Sequence, residues 1–371
     1  MRALAIDEET RKELSRFFFD EALLARFAAR AGESGTNYVD GVIEPTRPED
    51  ATLLPPPKTA ERERFAELGR AALSRGEVGV VVLAGGMATR FGGVVKAAVP
   101  VVDGRSFLDL KIADVHKLVD ETNVTVPSYV MTSFATHDRI MAQVKEEKLD
   151  GAHHVACFPQ CVSLRLTPTG ELFREADGSL SPYATGHGDL VFALRQSGVL
   201  SAFRERGGKL LYVSNVDNLG ATLDAAVLGA HLASGAKVTA EVVRKEKGDR
   251  GGAPARVDGR PQIVEAFRFP PTFDQDTIPL FNTNSFVLDA EAMDRDFDLT
   301  YFRVEKKVEG RVAIQFERLV GQLTAFLPSH FLEVPRSGPD GRFQPVKDPP
   351  ELEARRADIL EILRARGIVA R

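Results

Sequence analysis

Tryptophan is absent from this 371-residue chain, and cysteine occurs only at Cys157 and Cys161. Two thiols cannot build the disulfide framework of a small secreted domain, and no His and Cys set at zinc-binding spacing accompanies them, so the expectation is two reduced thiols. No segment approaches the roughly 18 consecutive apolar residues of a spanning helix, and the opening MRALAIDEETRKEL carries acidic residues where a secretory signal has its apolar core. The expectation is a cytoplasmic protein without a membrane partner. A dominant charge of one sign is also missing. With a formal net charge of −5 the chain has no overall basic surface for nucleic acid, so cations that serve an anionic ligand must be gathered in one place.

What the chain does have is a globular composition, with hydrophobic residues at 43% and charged residues at 27%, and enough length for one large domain with an appendage or for two domains. Residues 1 to about 75 read as helical. From Ile6 to Ala31 the residues Leu14, Phe17, Phe18, Leu23, Leu24 and Phe27 recur at spacings near three and four, and after LLPPPK at 53–58 a second charged helix runs through Leu73. From Val78 short apolar runs alternate with amphipathic stretches: VGVVVLAGG, FLDLKIADVHKLVDE, VPSYVMTS and a helix near Asp138 to Glu147. Uninterrupted apolar strands alternating with helices imply a doubly wound, mostly parallel α/β sheet. Further strands are expected at His153 to Phe158, Lys209 to Asn215 and Lys237 to Val243.

Between about Gly251 and Leu288 the pattern predicts a smaller antiparallel region, with a hairpin turned at Asp258-Gly259 and the run Phe281 to Leu288. A helix is expected from Val312 to Phe326, then a loop, then a closing helix in ELEARRADILEILRARG. The resulting division is an N-terminal helical cap at 1–76, a catalytic domain at 77–330 and a short C-terminal segment at 331–371.

The segment VVLAGGMATRFGG passes from an apolar strand straight into glycines, with Gly85, Gly86, Gly92 and Gly93 bracketing Thr89 and Arg90. Glycines let successive backbone N–H groups approach anionic oxygens, and Arg90 and Lys96 add a bidentate and a mobile cation. The spacing matches neither GxGxxG nor the Walker loop, which disfavours a dinucleotide dehydrogenase or a P-loop ATPase. Taken alone, the same residues also read as a tight turn with two solvated cations. Elsewhere VSNVDN at 213–218 ends an apolar strand, where ligands of open α/β sheets gather, and its Asp217 offers the hard oxygen that Mg²⁺ prefers.

The rest of the chain decides between these readings. LAGGMATRFGG at 83, VPSYVMTSFATHD at 126, GHGD at 186, YVSNVDNLGATLD at 212, GGAPARVDGRPQIVE at 251, FNTNSF at 281 and RFQPVK at 342 together resemble the UTP-glucose-1-phosphate uridylyltransferase (UDP-glucose pyrophosphorylase) family of the eukaryotic type. They stand in that family's order and span about Val78 to Lys347. The resemblance implies a Rossmann-like nucleotide-diphospho-sugar transferase fold. It implies a reaction in which a sugar-1-phosphate oxygen attacks the α-phosphorus of UTP and releases pyrophosphate, with Mg²⁺ as cofactor.

By the same resemblance, Leu83, Gly85, Gly86 and Thr89 cradle the nucleotide, Gln160 reads the uracil edge and Gly186 lies against the base. His187, Asn215, Gly252, Glu265 and Asn284 face the sugar, Asp217 holds the metal, and Arg90, Lys96 and Lys347 face the phosphates. The family's first loop lysine has no counterpart here, and Arg90 stands in its place; the alignment of Lys96 needs a gap of one residue. The family's Ser-Arg after the glutamine is replaced by Cys161-Val162-Ser163.

Only 24 residues follow Lys347 in place of the family's β-helical tail, which often mediates self-association. Oligomeric state is therefore open, with a monomer as the expectation. Two rivals share the fold: a UDP-N-acetylglucosamine or broad UDP-sugar pyrophosphorylase, and a non-catalytic UDP-sugar sensor. GHGD favours the glucose type, and a sensor is expected to lose the phosphate-facing cations that this chain keeps.

Overall fold

The structure is a computed structural model and describes residues 5–33, 35, 37–88, 91–149 and 155–370. Its centre is an eight-stranded sheet formed by Ala51–Leu53 (β1), Val78–Leu83 (β2), Ser128–Thr132 (β3), Val155–Pro159 (β4), Leu210–Asn215 (β5), Val238–Arg244 (β6), Leu280–Asp289 (β7) and Ser329–Glu333 (β8). The order across the sheet is β1-β8-β6-β7-β5-β2-β3-β4. Every pairing is parallel except the two made by β7, which runs antiparallel to both β6 and β5.

All six residues of β2 are buried, as its apolar run predicts for a strand covered on both faces. Val78, Val80 and Val82 point into one core, with Leu73 from the helix Ala60–Ser74 (α1), Leu108 from Phe107–Thr122 (α2), Leu228 from Ala225–Ser234 (α3) and Ile359 from Pro349–Ala365 (α4). Val81 and Leu83 point into the other, with Leu194 of Leu190–Gln196 and Phe203 of Val199–Glu205. Strand side chains alternate between faces, so one apolar strand supplies both cores. Among the described residues no helix is long and apolar enough to cross a membrane.

Several sequence expectations are corrected. The segment Ile6 to Ala31 is two helices, Glu8–Ser15 and Glu21–Arg30, because Asp7 and Asp20 each cap a new start, accepting from the N–H of Thr10 (2.8 Å) and Leu23 (3.0 Å). The N-terminal region is not wholly helical either. Ile43–Pro45 pairs with Ala253–Val257 in a three-stranded antiparallel sheet that Arg260–Val264 completes, and β1 joins the edge of the main sheet.

Phe281 to Leu288 lies inside the main sheet as β7, since its apolar residues are buried on both sides. The helix expected from Val312 to Phe326 is a hairpin, Phe302–Val308 with Arg311–Glu317, followed by the short helix Leu323–Phe326. Its turn is Glu309-Gly310, both at positive φ (48° and 77°), the geometry of a tight two-residue hairpin turn.

Candidate functional site

The carboxyl ends of β2 and β5 lie side by side, and from β2 the chain winds outward in one direction to β3 and β4, while β5 lies on the other side. Ligands of open α/β sheets bind at such a reversal of strand order. There a cavity of about 290 Å³ is lined by His187, Asn215, Asp217 and Gly252 and also by Glu265, Asn284 and Lys347. Seven residues singled out from separate sequence segments thus converge on one cleft. A larger recess of about 840 Å³ lies between helix Glu21–Arg30 and residues 169–174, and contains none of them.

Each is delivered by a local device. Asn215 is the last residue of β5, and its side-chain oxygen accepts from Asn284 Nδ2 at 2.9 Å. Asn284 reaches it from the antiparallel β7, where the register with β6 shifts between Glu241 and Val242 and the Asn284 backbone turns to φ 58°. Such bulges re-aim a side chain, and asparagine tolerates the left-handed region better than most residues. Gly252 and Glu265 flank the last pair of the 253–264 hairpin, Ala253 with Val264, and a Cβ on Gly252 would stand 2.7 Å from Glu265 Oε1.

Residues His187–Asp189 form a 3₁₀ turn, Leu190–Gln196 follows, and Gly198 at φ 75° separates Val199–Glu205. The GHGD motif is pressed against the chain at Arg318: Gly186 has φ 97°, and a Cβ there would stand 2.4 Å from the Arg318 carbonyl oxygen. Asp189 is fully buried and bonds Arg318 Nε (2.5 Å) and the Thr185 hydroxyl (2.6 Å), so it anchors the turn. The Val320 N–H donates to His187 Nδ1 at 3.2 Å, and burial pushes the imidazole down to about 4. His187 is therefore neutral at physiological pH with its proton on Nε2, a hydrogen-bond donor without charge.

On the nucleotide side, Leu83 ends β2, Gly85 and Gly86 follow it, and Gln160 follows β4. The buried Gln160 amide lies against the glycine loop, with Nε2 2.6 Å from where a Cβ on Gly85 would stand. Met87–Ala88 pairs with Val94–Val95, which returns the chain to Lys96. Thr89 and Arg90 lie outside the described residues. The Lys96 N–H donates to the Gly86 carbonyl at 3.3 Å, and its ammonium sits 2.5 Å from Asp217 Oδ2. The residues assigned separately to phosphate and to metal thus form one ion pair, both mostly buried.

Lys347 lines the same cavity and is exposed, and its ammonium has no ion-pair partner among the described residues. The sequence reading missed the other cations of the cavity. Arg336 makes a bidentate contact with Asp249 (2.8 and 2.9 Å), Arg355 bonds Gln344 Oε1 (3.2 Å) and Glu351, and Arg250 lines the cleft beside them. Only Arg355 lies in a periodic segment, and that pattern reads as helix rather than as site.

Glu265 is held by the cleft at a cost. Burial pushes its carboxyl from 4.5 up to about 7, with Arg268 partly opposing. Between those values the folded state binds more protons than the unfolded one, so this group's contribution to stability is full below pH 4.5 and lost as pH rises through 7. Glu265→Gln should therefore stabilise the protein by on the order of 3 kcal/mol above pH 7 and by almost nothing near pH 4. Thermal melts of both proteins at pH 5 and pH 8 test this; the same offset at both values would refute it.

Known proteins resemble this chain in sequence and in fold. UTP–glucose-1-phosphate uridylyltransferase 2 of Dictyostelium discoideum is 29% identical over 74% of this chain, which spans 57% of that protein's length. The fold is shared with a UDP-N-acetylglucosamine pyrophosphorylase of Trypanosoma brucei solved with an inhibitor (TM-score 0.76, 18% identity, 96% of this chain and 80% of the other). It is also shared with a point mutant of the UDP-glucose pyrophosphorylase of Leishmania major solved with UDP-glucose (TM-score 0.71, 23% identity, 92% and 77%). The family model for UTP–glucose-1-phosphate uridylyltransferase matches residues 46–365, and the chain belongs to that family.

Proposed function

We propose that this protein joins UTP and glucose-1-phosphate to give UDP-glucose and pyrophosphate. The observation that carries the proposal is the convergence of Lys96, Asp217, Lys347, His187, Asn215, Glu265 and Asn284 at the carboxyl edge of β2 and β5. A phosphate oxygen of the sugar-1-phosphate attacks the α-phosphorus of UTP, and the bond from that phosphorus to the bridging oxygen of the leaving pyrophosphate breaks. Both substrates are anions, so the barrier is repulsion and misalignment, and no covalent protein nucleophile is needed.

In this reading the backbone after Leu83, through Gly85 and Gly86, meets the β- and γ-phosphates together with Thr89 and Arg90, while Lys96 faces the α-phosphate. Gln160, whose side-chain amide both donates and accepts, reads the uracil edge, and Gly186 lies beside the base. Neutral His187 donates through Nε2 to the sugar, Asn215 and Asn284 act as a bonded pair, and Glu265 accepts from hydroxyls across Gly252. Lys347 approaches the joining phosphates.

Asp217 suits Mg²⁺ shared with phosphate oxygens, since a carboxylate is a hard donor and Mg²⁺ usually takes few protein ligands beside substrate phosphates. Among the described residues no group of three or more His, Cys, Asp or Glu could hold a metal ion. Bound at Asp217, the ion would neutralise phosphate charge. Asp217 is engaged by Lys96, so the lysine must be free to shift toward phosphate as the carboxylate gains a cation.

Pyrophosphate release from UTP with glucose-, galactose- and N-acetylglucosamine-1-phosphate, with and without Mg²⁺, tests the proposal. Turnover highest with glucose-1-phosphate and dependent on Mg²⁺ is expected. A preference for N-acetylglucosamine-1-phosphate would move the assignment to that sugar, and no turnover on any sugar would overturn it in favour of a sensor.

A further inference from the structure

The motif RFQPVK is fastened to the sheet by more than its lysine. The Arg342 side chain is fully buried, and its guanidinium bonds Glu241 (2.7 and 2.6 Å), the Tyr212 hydroxyl (2.8 Å) and the Thr222 carbonyl (2.9 Å). Its backbone is gripped from the other side by Asn218, which is 1% exposed. Asn218 Nδ2 donates to the Arg342 carbonyl at 3.1 Å, and the Gln344 N–H donates to Asn218 Oδ1 at 2.8 Å. One amide thus satisfies a carbonyl and an N–H of the same segment, which only a side chain with a donor and an acceptor can do. Gly220 permits the approach: a Cβ there would stand 2.8 Å from the Arg342 carbonyl carbon.

Asn218 directly follows Asp217, and its own N–H donates to the Asn215 carbonyl at 3.3 Å. The turn that presents Asn215 and Asp217 to the cleft is therefore the same turn that holds the irregular segment 342–347, which ends in Lys347. We propose that Asn218 is a positioning residue that sets the distance between the Asp217–Lys96 pair and Lys347 in the cleft. The inference rests on the function proposed above for those three residues. It follows that Asn218 acts through Lys347 and touches no substrate, because both of its side-chain groups are spent on the Arg342–Gln344 backbone.

The test is a double-mutant cycle with Asn218→Ala and Lys347→Ala, in which linked residues are non-additive. Asn218→Ala alone should lower kcat at least tenfold with KM for UTP changed less than threefold. In the Lys347→Ala background it should add less than a twofold loss. Asn218→Asp, nearly isosteric, keeps the acceptor for Gln344 but sets a buried acceptor against the Arg342 carbonyl; it should melt below wild type and lower kcat.

Amide hydrogen exchange gives a readout that needs no substrate: Asn218→Ala should speed exchange in Phe343–Lys347 while leaving β2 and β3 unchanged. Losses that multiply in full across the cycle, or unaltered exchange in 343–347, would overturn the inference. Wild-type inactivity on every sugar-1-phosphate would instead overturn the proposed function, and the exchange result would then decide the positioning role by itself.

Discussion

Lys96→Ala is expected to lower kcat about a hundredfold or more while the protein still folds. The ammonium pairs with Asp217 and the Lys96 N–H with Gly86 of the glycine-rich loop, and in the proposed function that ammonium faces the α-phosphate, where charge would build as the new bond forms. Removing one pre-placed donor to a developing anion costs about 3 kcal/mol of transition-state stabilisation, which is roughly a hundredfold in rate. The stability cost should be smaller than that of breaking a fully buried pair, because the two side chains keep 17% and 14% of their exposure and the Asp217 left behind can still reach water. The prediction is read from kcat and from the melting temperature of the same preparation. Turnover within threefold of wild type would remove Lys96 from the phosphate-facing set.

The second large effect concerns stability. Arg342 and Glu241 are both at 0% side-chain exposure, and Tyr212 bonds both, donating to Glu241 at 3.0 Å. Neighbouring carboxylates hold the guanidinium strongly in its charged form despite burial. Arg342→Met leaves Glu241 buried without its cation, and the loss on breaking such a pair is about 3 to 5 kcal/mol. Adding Glu241→Leu to Arg342→Met should recover most of that loss, since a buried ion pair replaced by apolar groups of similar volume is often near neutral. Urea unfolding of the single and double variants measures both quantities. A loss below about 1 kcal/mol in Arg342→Met would mean that water reaches the network and that the burial argument fails.

The two predictions differ in how far the sequence foreshadowed them. Lys96 was legible because it follows a glycine-rich loop after an apolar strand, and strand, loop and cation lie within one short stretch. Arg342 was in view only as a letter of the motif that carries Lys347, and nothing local distinguishes a buried arginine from a solvated one. Its partners Glu241 and Tyr212 are 101 and 130 positions away. The helix expected at Val312 to Phe326 failed for a related reason: the apolar residues of Arg311–Glu317 fit either period, and the Glu309-Gly310 turn that decides for a hairpin went unrecognised.

By itself the sequence determined the alternation of apolar strands and amphipathic helices, hence the doubly wound sheet, and the short polar segments at strand ends that become the cleft. These are set by neighbours in the chain, through side-chain period, glycine freedom and capping. Only the tertiary structure decided that β7 enters the sheet against the direction of its neighbours, that Lys96 and Asp217 form one ion pair, and that Asn218 ties the Asp217 turn to the segment that carries Lys347. Lys96 and Asp217 are 121 positions apart, and Asn218 and Gln344 are 126 apart. Contacts closed over such lengths depend on how layers pack and in which register strands meet, and they leave no periodic mark on the residues that make them.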